Sequence, residues 1–326
     1  MKQDSSSGYT ALREGAALTE LPFGRLRLRG ADRRAYLQGL LTNDMAALTP
    51  GTGCYAAMLT AQGRMITDMR VLELGDAVLL DVPAALAPAI RDHLDRFVFS
   101  EHVQVEDITA ATAELGLYGP RAIDVLQAAG VEGAAPTALY DVTRMRAGGR
   151  DATLVRGDAI GIEGFDVITD AANREALRGA FLAAGAVAAS DGDVEAVRIE
   201  SGRPWFGRDL DADTIPLEAG LEERAISRSK GCYVGQEVIV RVQDRGHGRV
   251  ARRLVGLTLD ATSAAPHAST VVRAGDREIG RVTSATWSPA LARPIALAFV
   301  HRDFVEPGTH VQAGDAAAIV AALPFV

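Results

Sequence analysis

The sequence predicts a multidomain α+β protein that ends in a small β-barrel. Up to Arg245, strand-like and helix-like stretches are mixed without the regular β-α-β-α alternation of a parallel sheet. Beyond Arg245 the pattern changes to short apolar runs separated by glycine turns, which suits a barrel whose closure removes exposed sheet edges. The chain has 326 residues, 48% of them hydrophobic and 23% charged, enough for two or three domains around a sizeable core.

The folded region is expected to start near Ala11. Leu26 and Leu28 mark a strand, and Gly30-Ala31-Asp32 turns into a helix that buries Leu37, Leu40 and Leu41, with Asp32 as its cap. That helix should stop at Thr42-Asn43-Asp44, where short polar side chains bond the backbone. Tyr55, Met58 and Leu59 lead into the turn Thr60–Arg64, and Met65 to Asp68 begin the return strand of a hairpin. Leu86, Ile90, Leu94 and Phe97 recur at helical spacing after Pro83, and the internal Pro88 shifts the helix start or kinks it. Glu114–Tyr118 reads as a strand, followed by a helix from Gly119-Pro120 to Gly130. Leu154-Val155 gives a later strand, and a helix after Asn173 should end at Gly185.

Several function classes lack support. The net charge of −8 argues against an extended nucleic-acid surface. The first residues, MKQDSSSGYT, lack the apolar core of a secretion signal, and no run approaches the roughly 18 apolar residues of a membrane span, so a cytoplasmic setting is the simplest expectation. There is no dinucleotide or Walker glycine motif, no HExxH spacing and no readable serine triad. Cys54 and Cys232 are too few for a disulfide framework or a full iron–sulfur ligand set. His247, flanked by two glycines, is a turn histidine able to titrate near neutrality.

The stretch Ser227–Arg245 stands apart. Cys232 lies between Gly231 and Gly235, with Lys230 before it and Gln236, Glu237 and Arg241 after it. Small neighbours leave the sulfur approachable, and nearby cations favour the reactive thiolate. A small buried hydrophobe in a turn is the equal alternative.

Lys230-Gly231-Cys232-Tyr233-x-Gly235-Gln236-Glu237 resembles the signature of the YgfZ-type folate-binding proteins, within the superfamily of the glycine-cleavage T-protein, an aminomethyltransferase. Arg198-Ile199-Glu200-Ser201-Gly202-Arg203-Pro204, Ile215–Leu221 and Thr283-Ser284 through Ser288-Pro289, the last matching a turn of the barrel domain, resemble further superfamily segments, in the same order. The resemblance implies a three-domain cloverleaf around a central folate cavity. Its two interleaved α+β domains comprise residues 11–50 with 113–200 and residues 51–112 with 201–245, and residues 246–326 form the barrel. It implies tetrahydrofolate or a derivative as cofactor, with Asn43, Tyr55, Met58 and Glu200 near it; Glu200 would accept two N–H bonds from the aminopterin ring. Cys232 would be the functional thiol, supported by Lys230, Gly231, Tyr233, Gly235, Gln236, Glu237 and Arg241, and no metal site is implied. Counting from the strand Val78–Asp81, the catalytic aspartate of transferring relatives falls near Pro88; Asp81 and Asp92 fit that offset poorly. The resemblance therefore implies an accessory protein for iron–sulfur client or assembly proteins, with neither membrane nor nucleic-acid partners. A folate-dependent one-carbon transferase is the enzyme alternative, and a structural interaction module is the third.

Overall fold

The computed structural model describes residues 6–147, 149–245 and 249–326; His247 lies outside the described residues. The chain starts with α1 (Ser7–Glu14), whose first turn is capped by the Ser6 hydroxyl accepting from the Tyr9 N–H, and with β1 (Ala17–Thr19). A five-stranded sheet follows, built from β2 (Phe23–Arg29), β3 (Gly53–Leu59), β4 (Met65–Glu73), β5 (Val78–Pro83) and β6 (Gln104–Asp107) in the spatial order β3-β4-β5-β2-β6. Helices α2 (Arg33–Leu40) and α3 (Ala87–Asp95) contribute Leu37, Ile90 and Leu94 to its core, beside Leu26, Leu28 and Leu80.

A seven-stranded sheet comes next. Its strands are β7 (Thr112–Tyr118), β8 (Val131–Glu132), β9 (Val142–Ala147), β10 (Arg150–Gly157), β11 (Gly164–Asp170) and β12 (Val187–Ala188), with β1 inserted between β12 and β7. Helices α4 (Ala122–Ala128) and α5 (Arg174–Ala183) cover it through Val125, Leu126, Leu177 and Phe181. Then α6 (Asp191–Glu200), opened by a Ser190–Asp193 capping box, α7 (Glu222–Ala225) and α8 (Gln236–Val240) lead to the last module. There β13 (Arg252–Leu259), β14 (Val271–Ala274), β15 (Arg277–Ser288), β16 (Arg293–His301), β17 (His310–Ala313) and β18 (Ala316–Ala321) form a closed barrel in the order β13-β16-β15-β14-β17-β18. Among the described residues no helix is long and apolar enough to cross a membrane.

The α+β reading with a terminal barrel matches this architecture, and three details differ. Residues 23–50, expected with 113–200, join 51–107 instead, because β2 pairs with β5 and β6; only α1 and β1 cross to the later sheet. Asp32 does not cap α2: its carboxylate accepts from the His102 N–H at 2.8 Å, tying the helix start to the entry of β6. Thr283–Ser288 is a bulged strand rather than a turn, and it packs against α6.

The two sheets meet through charge. Asp81 on β5 lies opposite Arg70 on β4 and Arg25 on β2, so three ionisable side chains form a row across neighbouring strands on one face. Glu114 and Asp166 of the other sheet complete the cluster: Arg70 donates to Asp81 and Glu114 at 2.7 Å each and also to Asp166, while Arg25 pairs with Glu114. All five are buried, and two guanidiniums face three carboxylates.

Candidate functional site

A cavity opens beside that cluster, lined by residues of the five-stranded sheet, by loop residues flanking β9 and β10, by the segment after α6 and by Arg224 of α7. Phe23, Pro22, Pro83, Trp205 and Phe206 supply apolar and aromatic walls, whereas Asp68, Arg70, Asp81, Asp158, Arg203, Arg224 and the tyrosines Tyr55 and Tyr140 supply the polar groups. Such a mixture fits a flat ligand with a few oriented hydrogen-bonding positions.

Asp68 is one of three acidic residues in the cavity wall. It sits on β4, and the Tyr55 hydroxyl on β3 donates to it at 2.6 Å. Burial pushes its carboxyl above the usual aspartate range, while the Tyr55 hydrogen bond and the Arg224 charge pull in the opposite direction. Arg224 stacks its guanidinium 4.4 Å from the centre of the Tyr55 ring and donates to the Tyr140 hydroxyl at 2.7 Å and to Asp158 at 3.1 Å. Arg203 shares the Asp158 carboxylate; burial, and then the nearby Arg224, lower its own pKa. Two cations thus converge on one anion along this side of the cavity.

The residues singled out from sequence divide sharply. Tyr55 lines the cavity, but Met58 does not: an odd offset along a strand reverses the side chain, so Tyr55, Ala57 and Leu59 share one face while Ala56 and Met58 fill the core beneath α2. Asn43 is a brace, donating to the Tyr55 carbonyl at 2.9 Å and to the Arg224 carbonyl at 3.3 Å, and it thereby positions two cavity residues. Glu200 does not face the cavity. Its fully buried carboxylate accepts from the Tyr9 hydroxyl, Arg13, the Ser288 hydroxyl and the Ala290 N–H, which leaves it committed to joining α1, α6 and the barrel. Pro88 is an exposed second-position residue of α3, away from the cavity, so the reading of a missing acid at that offset fails; Asp68 stands in the cavity wall instead.

The cysteine loop is held firmly at its flanks. Lys230 donates to the carbonyls of Gln38 at 2.7 Å, of Asn43 at 3.0 Å and of Leu41, closing the carboxyl end of α2. Burial lowers its pKa to about 8, and its charge acts on Cys54 rather than standing beside Cys232 as the thiolate reading required. Tyr233 is buried among Leu59, Ile226 and Ile239. Gly235 adopts a φ of +83°, and a Cβ there would meet the Thr60 carbonyl at 2.5 Å, so the β3–β4 turn demands glycine at this position. Gly231 meets no such restriction. Gln236 and Glu237 open α8, and Arg241 pairs with Glu237 one turn on. Cys232 itself is exposed, which excludes the core-filler reading; burial drives Cys54 up to about 12.

Sequence reasoning passed over Asp68, Arg70, Asp158, Arg203 and Arg224. One available signal was charge inside otherwise apolar strands: Asp68 and Arg70 interrupt β4, as Asp81 interrupts β5. Asp158 and Arg203 lie on connections and Arg224 on the single-turn helix α7, with no comparable pattern.

Comparison with known proteins gives a consistent picture. The GCVT N-terminal domain model matches residues 1–230, and the glycine cleavage T-protein C-terminal barrel domain model matches residues 252–326. An aminomethyltransferase of Rubrobacter xylanophilus is 32% identical over 293 residues, covering 90% of this chain and 78% of that protein. One from Moorella thermoacetica is 33% identical over 294 residues, covering 89% and 79%. The crystal structure of the glycine cleavage system aminomethyltransferase T from Bartonella henselae superposes with a TM-score of 0.87 at 23% identity, covering 98% of this chain and 88% of that one, a likeness of fold.

Proposed function

The chain belongs to the glycine cleavage T-protein family, and on that premise we propose that it is a tetrahydrofolate-dependent one-carbon transferase working in the central cavity. The observation that carries this reading is Asp68, a carboxyl set in the cavity wall, oriented by Tyr55 and raised above the usual aspartate range by burial. Moving a carbon held between a carrier's sulfur and an amine onto two folate nitrogens breaks its C–S and C–N bonds and releases thiol and ammonia. The transfer therefore needs a group that can hold and return a proton at the reacting amine, and efficiency is greatest when that group's pKa approaches the working pH.

The cavity suits the cofactor. Its aromatic walls fit a flat ring, and three of its lining residues carry a buried polar atom without a partner: Arg70 Nε, Asp81 Oδ1 and Arg203 Nε. Tetrahydrofolate, when bound, supplies the ring nitrogen that takes up the one-carbon unit. Asp68 then serves as the proton-holding group, Tyr55 fixes its carboxylate in one orientation, and Phe23, Trp205 and Phe206 exclude water, which strengthens both effects. The test is tetrahydrofolate-dependent release of the one-carbon unit from an aminomethylated lipoyl carrier. Turnover on the order of 1 s⁻¹ supports transfer, and complete inactivity of folded, folate-bound protein rejects it.

A second reading, the YgfZ-type accessory protein for iron–sulfur clients, is favoured by Cys232, exposed on a loop whose neighbours are tied to α2 and the β3–β4 turn. The two readings part in cells lacking the protein. Restoration of cluster-enzyme activity by Asp68→Asn, with failure by Cys232→Ser, replaces transfer by the accessory role.

A further inference from the structure

The buried ion cluster is incompletely bonded at two members that line the cavity. Arg70 spends both terminal nitrogens on Asp166, Asp81 and Glu114, which leaves its Nε–H without an acceptor. Asp81 uses Oδ2 for Arg70 at 2.7 Å, but Oδ1 has only Arg25 at 3.8 Å, beyond hydrogen-bond reach, and no other partner. Both side chains are almost wholly buried, and both residues line the cavity. Orphaned groups of this kind are rare in folded proteins, and here a donor and an acceptor are left on two directly bonded residues.

The chemistry of that pair selects its complement. An anion would satisfy Arg70 and be repelled by Asp81; an ammonium would do the reverse. A group presenting a carbonyl and an N–H side by side satisfies both. The adjoining wall is aromatic and suits a flat group: the Phe23 ring lies 5.3 Å from the Arg70 guanidinium and meets Trp205 edge-on at 6.3 Å.

We propose that Asp81 and Arg70 form the ring-recognition site of the cavity, with Arg70 Nε–H donating to the ring carbonyl and Asp81 Oδ1 accepting from the neighbouring ring N–H of a lactam, here that of the reduced pterin. The assignment rests on the folate reading and gives Asp81 and Arg70 the role that sequence reasoning assigned to Glu200, whose oxygens are already bonded within the protein. It also places the ring at the boundary of the two sheets, in the same cavity as Asp68.

The test measures equilibrium binding to the wild-type protein by calorimetry with three probes: tetrahydrofolate, its 4-amino counterpart and p-aminobenzoylglutamate. The 4-amino compound replaces the carbonyl with a donor and the ring N–H with an acceptor, inverting both positions. The expected result is tetrahydrofolate binding, a loss of roughly tenfold or more for the 4-amino probe, and no measurable binding of the probe lacking the ring. Asp81→Asn, compared at a temperature where circular dichroism shows it folded, should narrow the difference between the first two probes. Should that variant fail to fold, the wild-type comparison decides alone. Equal affinity for tetrahydrofolate and the 4-amino probe overturns the edge assignment and leaves the folate reading standing. No binding of tetrahydrofolate by folded protein overturns the folate reading, and this assignment with it.

Discussion

The Tyr55 hydroxyl donates to the Asp68 carboxylate at 2.6 Å, from one strand of a hairpin to the other. The pairing register sets Tyr55 opposite Arg70 and Ala57 opposite Asp68, so the hydrogen bond runs diagonally across the sheet and both groups face the cavity.

If Asp68 handles the proton, Asp68→Asn should lower one-carbon transfer by about 10²–10⁴-fold, the usual worth of a general acid–base group, with little change in tetrahydrofolate affinity. Tyr55→Phe should cost less and shift the acidic limb of the pH–rate profile upward, because the hydrogen bond that favours the carboxylate is gone. Steady-state rates against pH, with folate binding measured in parallel, check both; an unchanged rate in Asp68→Asn removes Asp68 from the chemistry.

Glu200→Ala should act on stability. The variant strands Arg13 and removes the acceptor for the Tyr9 and Ser288 hydroxyls, a loss of about 3 kcal/mol by analogy with other broken buried pairs. Denaturant unfolding should show this destabilisation, while tetrahydrofolate affinity, measured well below the unfolding midpoint, should stay within about twofold. A selective loss of affinity in a fully folded variant would restore Glu200 to ligand recognition.

Gly235→Ala places a Cβ against the Thr60 carbonyl and forces a left-handed backbone on an L-residue, a cost of about 1–3 kcal/mol. Gly231→Ala, where nothing crowds the added carbon, should be close to neutral. Thermal unfolding of the two variants side by side tests the contrast, and equal stability would contradict the seating of this loop.

The buried cluster predicts a pH dependence with a definite sign. Burial raises Asp81 and Asp166 to about 6, above the value near 4 that an aspartate takes in an unfolded chain. The folded protein therefore holds a proton that the unfolded chain releases, and the stabilising contribution present below about pH 4 is lost as pH rises toward 6. Unfolding free energies measured between pH 4 and 7 should show a downward component that Asp81→Asn reduces; identical slopes in both proteins would contradict a shared buried proton.

Much of the frame is legible in the amino-acid order because it follows from periodicity. Leu86, Ile90 and Leu94 announce α3, Gly63 marks the β3–β4 turn with its φ of +74°, and the short runs after Arg252 declare the barrel. The cavity was much less legible. Tyr55 and Met58 look equivalent as bulky apolar residues three positions apart, and only the strand pleat separates a cavity wall from a core filler. Lys230 and Cys232 are neighbours in sequence, yet the ammonium is drawn off by the α2 carbonyls. Asp158 holds Arg203 and Arg224 together over separations of 45 and 66 residues, which no local pattern encodes.

One helix carries the last consequence. Arg198 and Glu200, both fully buried near the end of α6, reach the barrel through Ser284 at 2.8 Å and through Ser288, while the Phe325 N–H returns to the Glu200 carbonyl at 2.8 Å. The two segments matched by separate domain models therefore do not part as exchangeable building blocks. Severing them uncovers a cation and an anion on the same helical turn, so inheritance of this barrel is coupled to inheritance of α6, and any grafted relative's barrel must bring hydroxyls at the positions of Ser284 and Ser288.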